Sequence, residues 1–323
     1  MKLKFIILSV LAVSAVVSCT KNEAVSTSTK ESEIIVQAGV VQTRAGYGSN
    51  VLPETFVMDV KQNSVSKYDY ESVYMEQSGN NYVPYDPDFK MVWAGTAYSS
   101  VEVKAITLPF GMSAIDAENP MDISVSCEQN NGNNLLMSDL LVADSKKGDI
   151  SVENSNIKIN FRHMMSKLDI TCKSGTGLDV KINSVLLENV CVKGQYSYAD
   201  MAIVADNGYD FDNVSMYVDE SGQNLVFEAI FFPYKPTENP VLKVNATIGG
   251  EQREMTCVVT PNSSGFVSGK RYTMTVTING TTLTPVSDTF TIETQWGDGN
   301  NDADFDLDFG ADMEIGDDVF VTE

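Results

Sequence analysis

A single histidine, His163, limits the chemistry open to this chain. A Ser–His–Asp triad would have to be built around it, and a histidine-rich metal centre has no second ring to use. His163 stands in a strand-like phrase beside Met164 and Met165, which suits a structural imidazole, hydrogen-bonded at a strand start or a domain junction. The 44 acidic residues guarantee chance carboxylate pairs, so no glycosidase dyad stands out. No phosphate-cradling glycine loop followed by Lys-Ser/Thr is present. The expectation is therefore no enzyme activity and no cofactor.

The acidic C-terminal stretch holds the nearest thing to a metal motif. Asp298, Asn300, Asp302 and Asp306 fall at ligand positions of a calcium loop, with Asp304 between the last two. The position that needs glycine for a sharp bend holds Ala303, and the one that needs a bidentate glutamate holds Phe309. A weak, irregular calcium site is the alternative; the strict alternation of Asp304–Phe309 (DFDLDF) favours a strand with aspartates on its outward face.

Cysteine chemistry divides in two. Cys127, Cys172, Cys191 and Cys257 each lie in strand-like runs without C-x-x-C spacing. Two disulfides with three pairings are one reading, and free buried thiols behaving as small hydrophobes are the other. Cys19 is different. Lys2 and Lys4 precede the apolar run Phe5–Val17, a secretion signal too short for a permanent span. Val16-Val17-Ser18-Cys19 closes it and resembles the lipobox of bacterial lipoproteins, which implies export, acylation of Cys19 and a place on the outer membrane. Thr20–Ser32 is a polar tether.

The elements that carry these groups read as strands. The first is Glu33–Arg44 (EIIVQAGVVQTR), with Ile34, Val36, Ala38 and Val40 on one apolar face. It ends at Thr43-Arg44-Ala45-Gly46, a joint open to a protease. Short alternating runs follow at 55–60, 100–105, 157–161, 167–172, 180–187, 241–248 and 272–278, with Asn131-Gly132, Asn207-Gly208 and Asn279-Gly280 as hairpin turns. The best helical candidate is Asn134–Ala143. The pattern predicts an all-β chain of sandwich or barrel type. At 323 residues it exceeds one core, and Lys173–Gly177 is the expected linker. The expected layout is a signal peptide over 1–18, a tether over 19–32, domains over 33–172 and 173–299, and an acidic tail over 300–323. A net charge of −22 excludes nucleic acid as a partner.

Several phrases together resemble the fimbrillin family of type V pilins. In order they are Val103–Phe110 (VKAITLPF), Asp139–Ala143 (DLLVA), Phe161–Leu168 (FRHMMSKL), Phe231-Phe232-Pro233, Phe266–Val276 (FVSGKRYTMTV) and Ile292–Gly299 (IETQWGDG). The resemblance implies two tandem transthyretin-like β-sandwich domains. It also implies export as a lipoprotein and cleavage after Arg44, before Ala45, by an arginine-specific surface protease. The strand bearing Ile34, Val36, Ala38 and Val40 would then be exchanged for one from a neighbouring pilin, in a fimbrium with tip and anchor subunits. The acidic tail has the alternation for such a donor, at Met313, Ile315, Val319 and Val321. The competing reading is a non-polymerising surface lipoprotein or tip adhesin that binds a glycan or host protein, with Tyr68, Tyr70, Tyr74, Tyr82 and Tyr85 as stacking candidates.

Overall fold

The computed structural model describes residues 32–40, 52–62, 66–94, 101–109, 112–153, 156–175, 177–204, 208–219, 225–286 and 291–293. In chain order its strands are β1 (Ile35–Val40), β2 (Thr55–Gln62), β3 (Tyr70–Ser78), β4 (Asn81–Pro84), β5 (Val101–Ile106), β6 (Met121–Ser124), β7 (Leu141–Asp144), β8 (Ile150–Glu153) and β9 (Asn156–His163). They continue with β10 (Ser166–Ser174), β11 (Val180–Ser197), β12 (Ala202–Val204), β13 (Asp210–Ser215), β14 (Tyr217–Asp219) and β15 (Val226–Phe231). The last are β16 (Val241–Ile248), β17 (Glu251–Val258), β18 (Arg271–Asn279), β19 (Thr282–Pro285) and β20 (Thr291–Glu293). The one α-helix among the described residues, α1, is Gly132–Met137. The chain is all-β.

β1 to β5 and β7 to β9 form an 8-stranded sheet in the order β1-β4-β3-β2-β5-β7-β9-β8, and β1 also pairs with β9. β7 and β8 run antiparallel to β9 one after the other, on the edge opposite β1. The sheet therefore closes into a ring through β1. Its interior is one core, with Val36, Phe56, Met58, Tyr82, Trp93 and Phe161 fully or almost fully buried.

A second core lies between two further sheets, β14-β15-β10-β18-β19 and β12-β11-β16-β17, with β6 and β13 attached to β11. The layout departs here from the expectation of a first domain over 33–172. Ser166–Ser174 pairs with β15 and β18, so strand pairing leaves the ring at Met164-Met165, not at Lys173–Gly177. β6 lies early in the chain yet pairs with β11.

Local signals explain most elements and one correction. Asn131 caps α1, its side chain accepting from Asn134 N at 2.9 Å, so Asn131-Gly132 opens a helix and is not a hairpin turn. The helix stops at Ser138, and Leu141–Asp144, its first three residues expected to be helical, is a strand buried on both faces. Burial on both faces hides the period of two that marks other strands. Asn279-Gly280 does turn a hairpin, with Asn279 opposite Thr282. Gly249-Gly250 turns another, at φ +58° and +90°, left-handed backbone that favours glycine.

Gly194, in β11, faces the buried ring of Phe232. A Cβ there would sit 2.1 Å from a ring carbon. Gly194→Ala should therefore lower the unfolding free energy by about 2 kcal/mol, read as a lower urea midpoint, because a packed aromatic ring has nowhere to move.

Candidate functional site

The first strand sits in a seam between two edges of its own sheet. On one side it runs parallel to β9 in continuous register, from Ile35 opposite Asn156 to Val40 opposite Phe161. On the other side it meets β4 only at Val36 opposite Tyr82. Just before it, Ile34 N donates to Met91 O and Trp93 N to Ser32 O, each at 2.9 Å. Gln37 Nε2 donates to Asn81 Oδ1 at 3.2 Å.

Of the exchange-strand candidates, Ile34 and Val36 are buried in the ring and Ala38 is half-buried against the same core. Val40 ends the strand in register with Phe161. Around Val36 the ring is lined by aromatics: Phe56 lies 4.8 Å from Tyr82 and 5.2 Å from Phe161 between ring centroids. Tyr82 is fixed by its hydroxyl, which donates to Pro53 O at 2.7 Å. Burying a branched aliphatic side chain in such a place contributes about 1.5–3 kcal/mol. Cys19, Arg44, Ala45, the calcium candidates Asp298, Asn300, Asp302, Asp304 and Asp306, and the donor candidates Met313, Ile315, Val319 and Val321 all lie outside the described residues.

The tyrosines expected to stack on sugars separate by burial. Tyr82 is core, Tyr68 and Tyr70 are half-buried, and Tyr74 and Tyr85 are exposed. The cysteines at 127, 172, 191 and 257 are free thiols. Burial pushes Cys172 and Cys191 up to about 12 and Cys257 up to about 11, so these are packing groups and not nucleophiles. Among the described residues no cluster of His, Cys, Asp and Glu could hold a metal ion.

His163 ends β9, with Nδ1 2.7 Å from Asp139 Oδ2, both side chains buried. Close by in sequence lies a charge cluster that residue types alone did not reveal. Lys167 Nζ is fully buried, 3.2 Å from Asp169 Oδ1 and 3.3 Å from Glu228 Oε1. Arg271 holds the other oxygen of Asp169, through Nε at 2.6 Å and Nη2 at 2.5 Å. The available signal was a Lys, an Asp and a Glu inside otherwise apolar strands, SKLDI and VFEAI. The cluster joins β10 to both of its neighbours. Removing one member of such a set leaves an uncompensated buried charge, at about 3–5 kcal/mol.

Burial raises the Glu228 carboxyl from its ordinary 4.5 to about 7, opposed by Lys167. Between those values the folded chain holds a proton that the unfolded chain has lost, so stability falls as pH rises through the window. Urea midpoints measured from pH 4.5 to pH 7 should show that decline in the native protein and a flatter profile in Glu228→Gln.

Comparison with known proteins gives these features a context. A family model described as fimbrillin-like matches residues 18–296. No curated protein matches the chain. Among solved structures, a provisionally named cell adhesion protein from Bacteroides ovatus is similar at a TM-score of 0.62 and 14% identity, covering 84% of this chain and 99% of that one. Another from Bacteroides uniformis is similar at 0.55 and 15%, covering 83% and 99%. These two likenesses concern the fold. The match spans the ring, the charge cluster and the sandwich alike: the chain belongs to the fimbrillin-like family, whose members are structural, non-enzymatic proteins.

Proposed function

We propose that this protein is a pilus subunit that polymerises by exchanging its first strand. It is exported as a lipoprotein through Cys19 and held at the outer membrane until an arginine-specific surface protease cuts between Arg44 and Ala45. The piece released carries Ile34, Val36, Ala38 and Val40. A neighbouring subunit then fills the slot between β4 and β9, its donor being the acidic tail with Met313, Ile315, Val319 and Val321 at matching parity.

The observation that carries this reading is that the earliest described strand closes the ring. Val36 is fully buried at the seam, and its loss would leave an apolar slot and an unpaired β9 edge. Two buried aliphatic side chains and their backbone pairing represent several kcal/mol, enough to make a replacement strand strongly favoured. The domain layout follows the two cores, with the division near Met164-Met165 in this reading.

Treating the purified precursor with an arginine-specific protease should give a chain beginning at Ala45, seen by mass spectrometry, and ladders on an unheated gel. Arg44→Ala should abolish both. Truncation from Asp312 to Glu323 should leave cleavage intact and stop extension. Normal ladders from the truncated chain would rule out the tail as donor, and resistance of the native joint to cutting would rule out the processing step.

A further inference from the structure

The outer face of the ring carries an aromatic patch that neither the core nor the β1 seam uses. Side chains alternate along β3 and β4, so Val73, Met75 and Tyr82 turn inward while Tyr74 and Val83 stay outside, followed by Tyr85. Tyr85 is 67% exposed and Tyr74 is 41% exposed. They are neighbours across the hairpin, since Tyr85 N donates to Tyr74 O at 2.8 Å. Val83 at 38% and Ile35 at 43% continue the apolar surface toward β1. Phe89, exposed to 39%, follows in the turn after Tyr85 and meets Tyr70 edge-on at 5.8 Å.

The patch is held in shape. The Tyr74 hydroxyl donates to Ser113 O, which fixes the ring against rotation away from the sheet. The turn beside Tyr85 is tied by Asp88 N donating to Asp86 Oδ1 at 3.0 Å and Phe89 N donating to Asp86 O at 3.1 Å. Asp86 and Asp88 put exposed carboxylates around the rings, with the half-buried Glu76 opposite Val83.

A held tyrosine, Tyr74, beside the exposed Tyr85, both bordered by carboxylates, matches the two sides of a pyranose. The C–H face of the sugar covers the ring, and its hydroxyls donate to the carboxylates. Charge narrows the occupant. With −22 on the chain and acidic groups bordering the patch, sulfated or sialylated glycans are repelled. We propose that Tyr74 and Tyr85 form a binding platform for a neutral hexopyranose of a surface glycan, with Asp86 accepting from its hydroxyls. The site is independent of cleavage after Arg44.

The test is a glycan array probed with the full uncut chain, followed by titration of the best neutral hit. The native protein should bind neutral hexose-terminated glycans and ignore sulfated and sialylated ones. The pair Tyr74→Ala and Tyr85→Ala should weaken binding by at least about tenfold with an unchanged melting temperature, while Tyr85→Trp should retain it. Three results would overturn the proposal: no neutral glycan bound, binding indifferent to the double substitution, or a concentration-dependent dimer lost in Tyr85→Ala. The last would assign the patch to a second copy.

Discussion

One layer of backbone separates the two hydrophobic cores, and the rest of the structure depends on its register. Along Leu140–Ala143, Leu140 and Val142 face the sandwich core while Leu141 and Ala143 face the ring. β2 repeats the arrangement, with Val57 on one side and Phe56 and Met58 on the other, and so does β5 with Ile106 and Ala105. Successive side chains on a strand point to opposite faces, so a slip of one residue would exchange the two sets and mismatch both cores. Neither core can repack without disturbing the other.

The chain crosses from ring to sandwich at Met164-Met165, both buried, and charge is concentrated around that crossing. The His163–Asp139 pair precedes it, and the Lys167, Asp169, Glu228 and Arg271 cluster follows it. Beyond the crossing, three cations of the ring hold the turn after β11: Lys104 Nζ donates to Ala199 O at 2.6 Å, and Arg162 and Lys147 donate to Met201 O at 3.2 and 3.3 Å. Desolvating so many charges costs much of what their attraction returns, so their net contribution to stability is small. Their geometry does select one arrangement. Asp169 reaches Arg271 on one side of β10 and Lys167 reaches Glu228 on the other, so β10 fits between β15 and β18 in a single register.

Residues with one wet face were legible in the sequence, and those with none were not. Val241–Ile248 alternates between buried and half-buried positions, and its expected limits match the strand. Ile34 and Val36 stood out by the same alternation, whereas the parallel partnership of β1 with β9 is a long-range choice that no local pattern records. Leu141, Val142 and Ala143 read as the end of a helix because both faces of that stretch are apolar. The Lys173–Gly177 break is real punctuation, but it turns β10 into β11 within one core. At the true change of sheet stand two methionines with no glycine or proline, and flexible apolar side chains fill such a junction without leaving a signal. Lys167 and Glu228 read as surface residues by type, and only their spatial pairing makes burial tolerable.

The asymmetry of the β1 seam bears on how a strand could leave it. Pairing with β9 is continuous, while pairing with β4 is confined to Val36 opposite Tyr82, with a separate bridge of Glu33 to Val92 just before β1. The ring is weakest on the β4 side, and a strand that peels from there keeps its β9 hydrogen bonds until late. A closed sheet has little edge to protect, and along the β9 side of the seam Lys158 is the one charge in register with β1: Ile157, Ile159 and Phe161 alternate there with Asn156, Lys158 and Asn160. Without β1, that edge would be a template for another strand with apolar residues at alternate positions. The fold thus makes closure by some strand obligatory while leaving the identity of that strand to parity and shape, which is the physical condition that exchange between subunits requires.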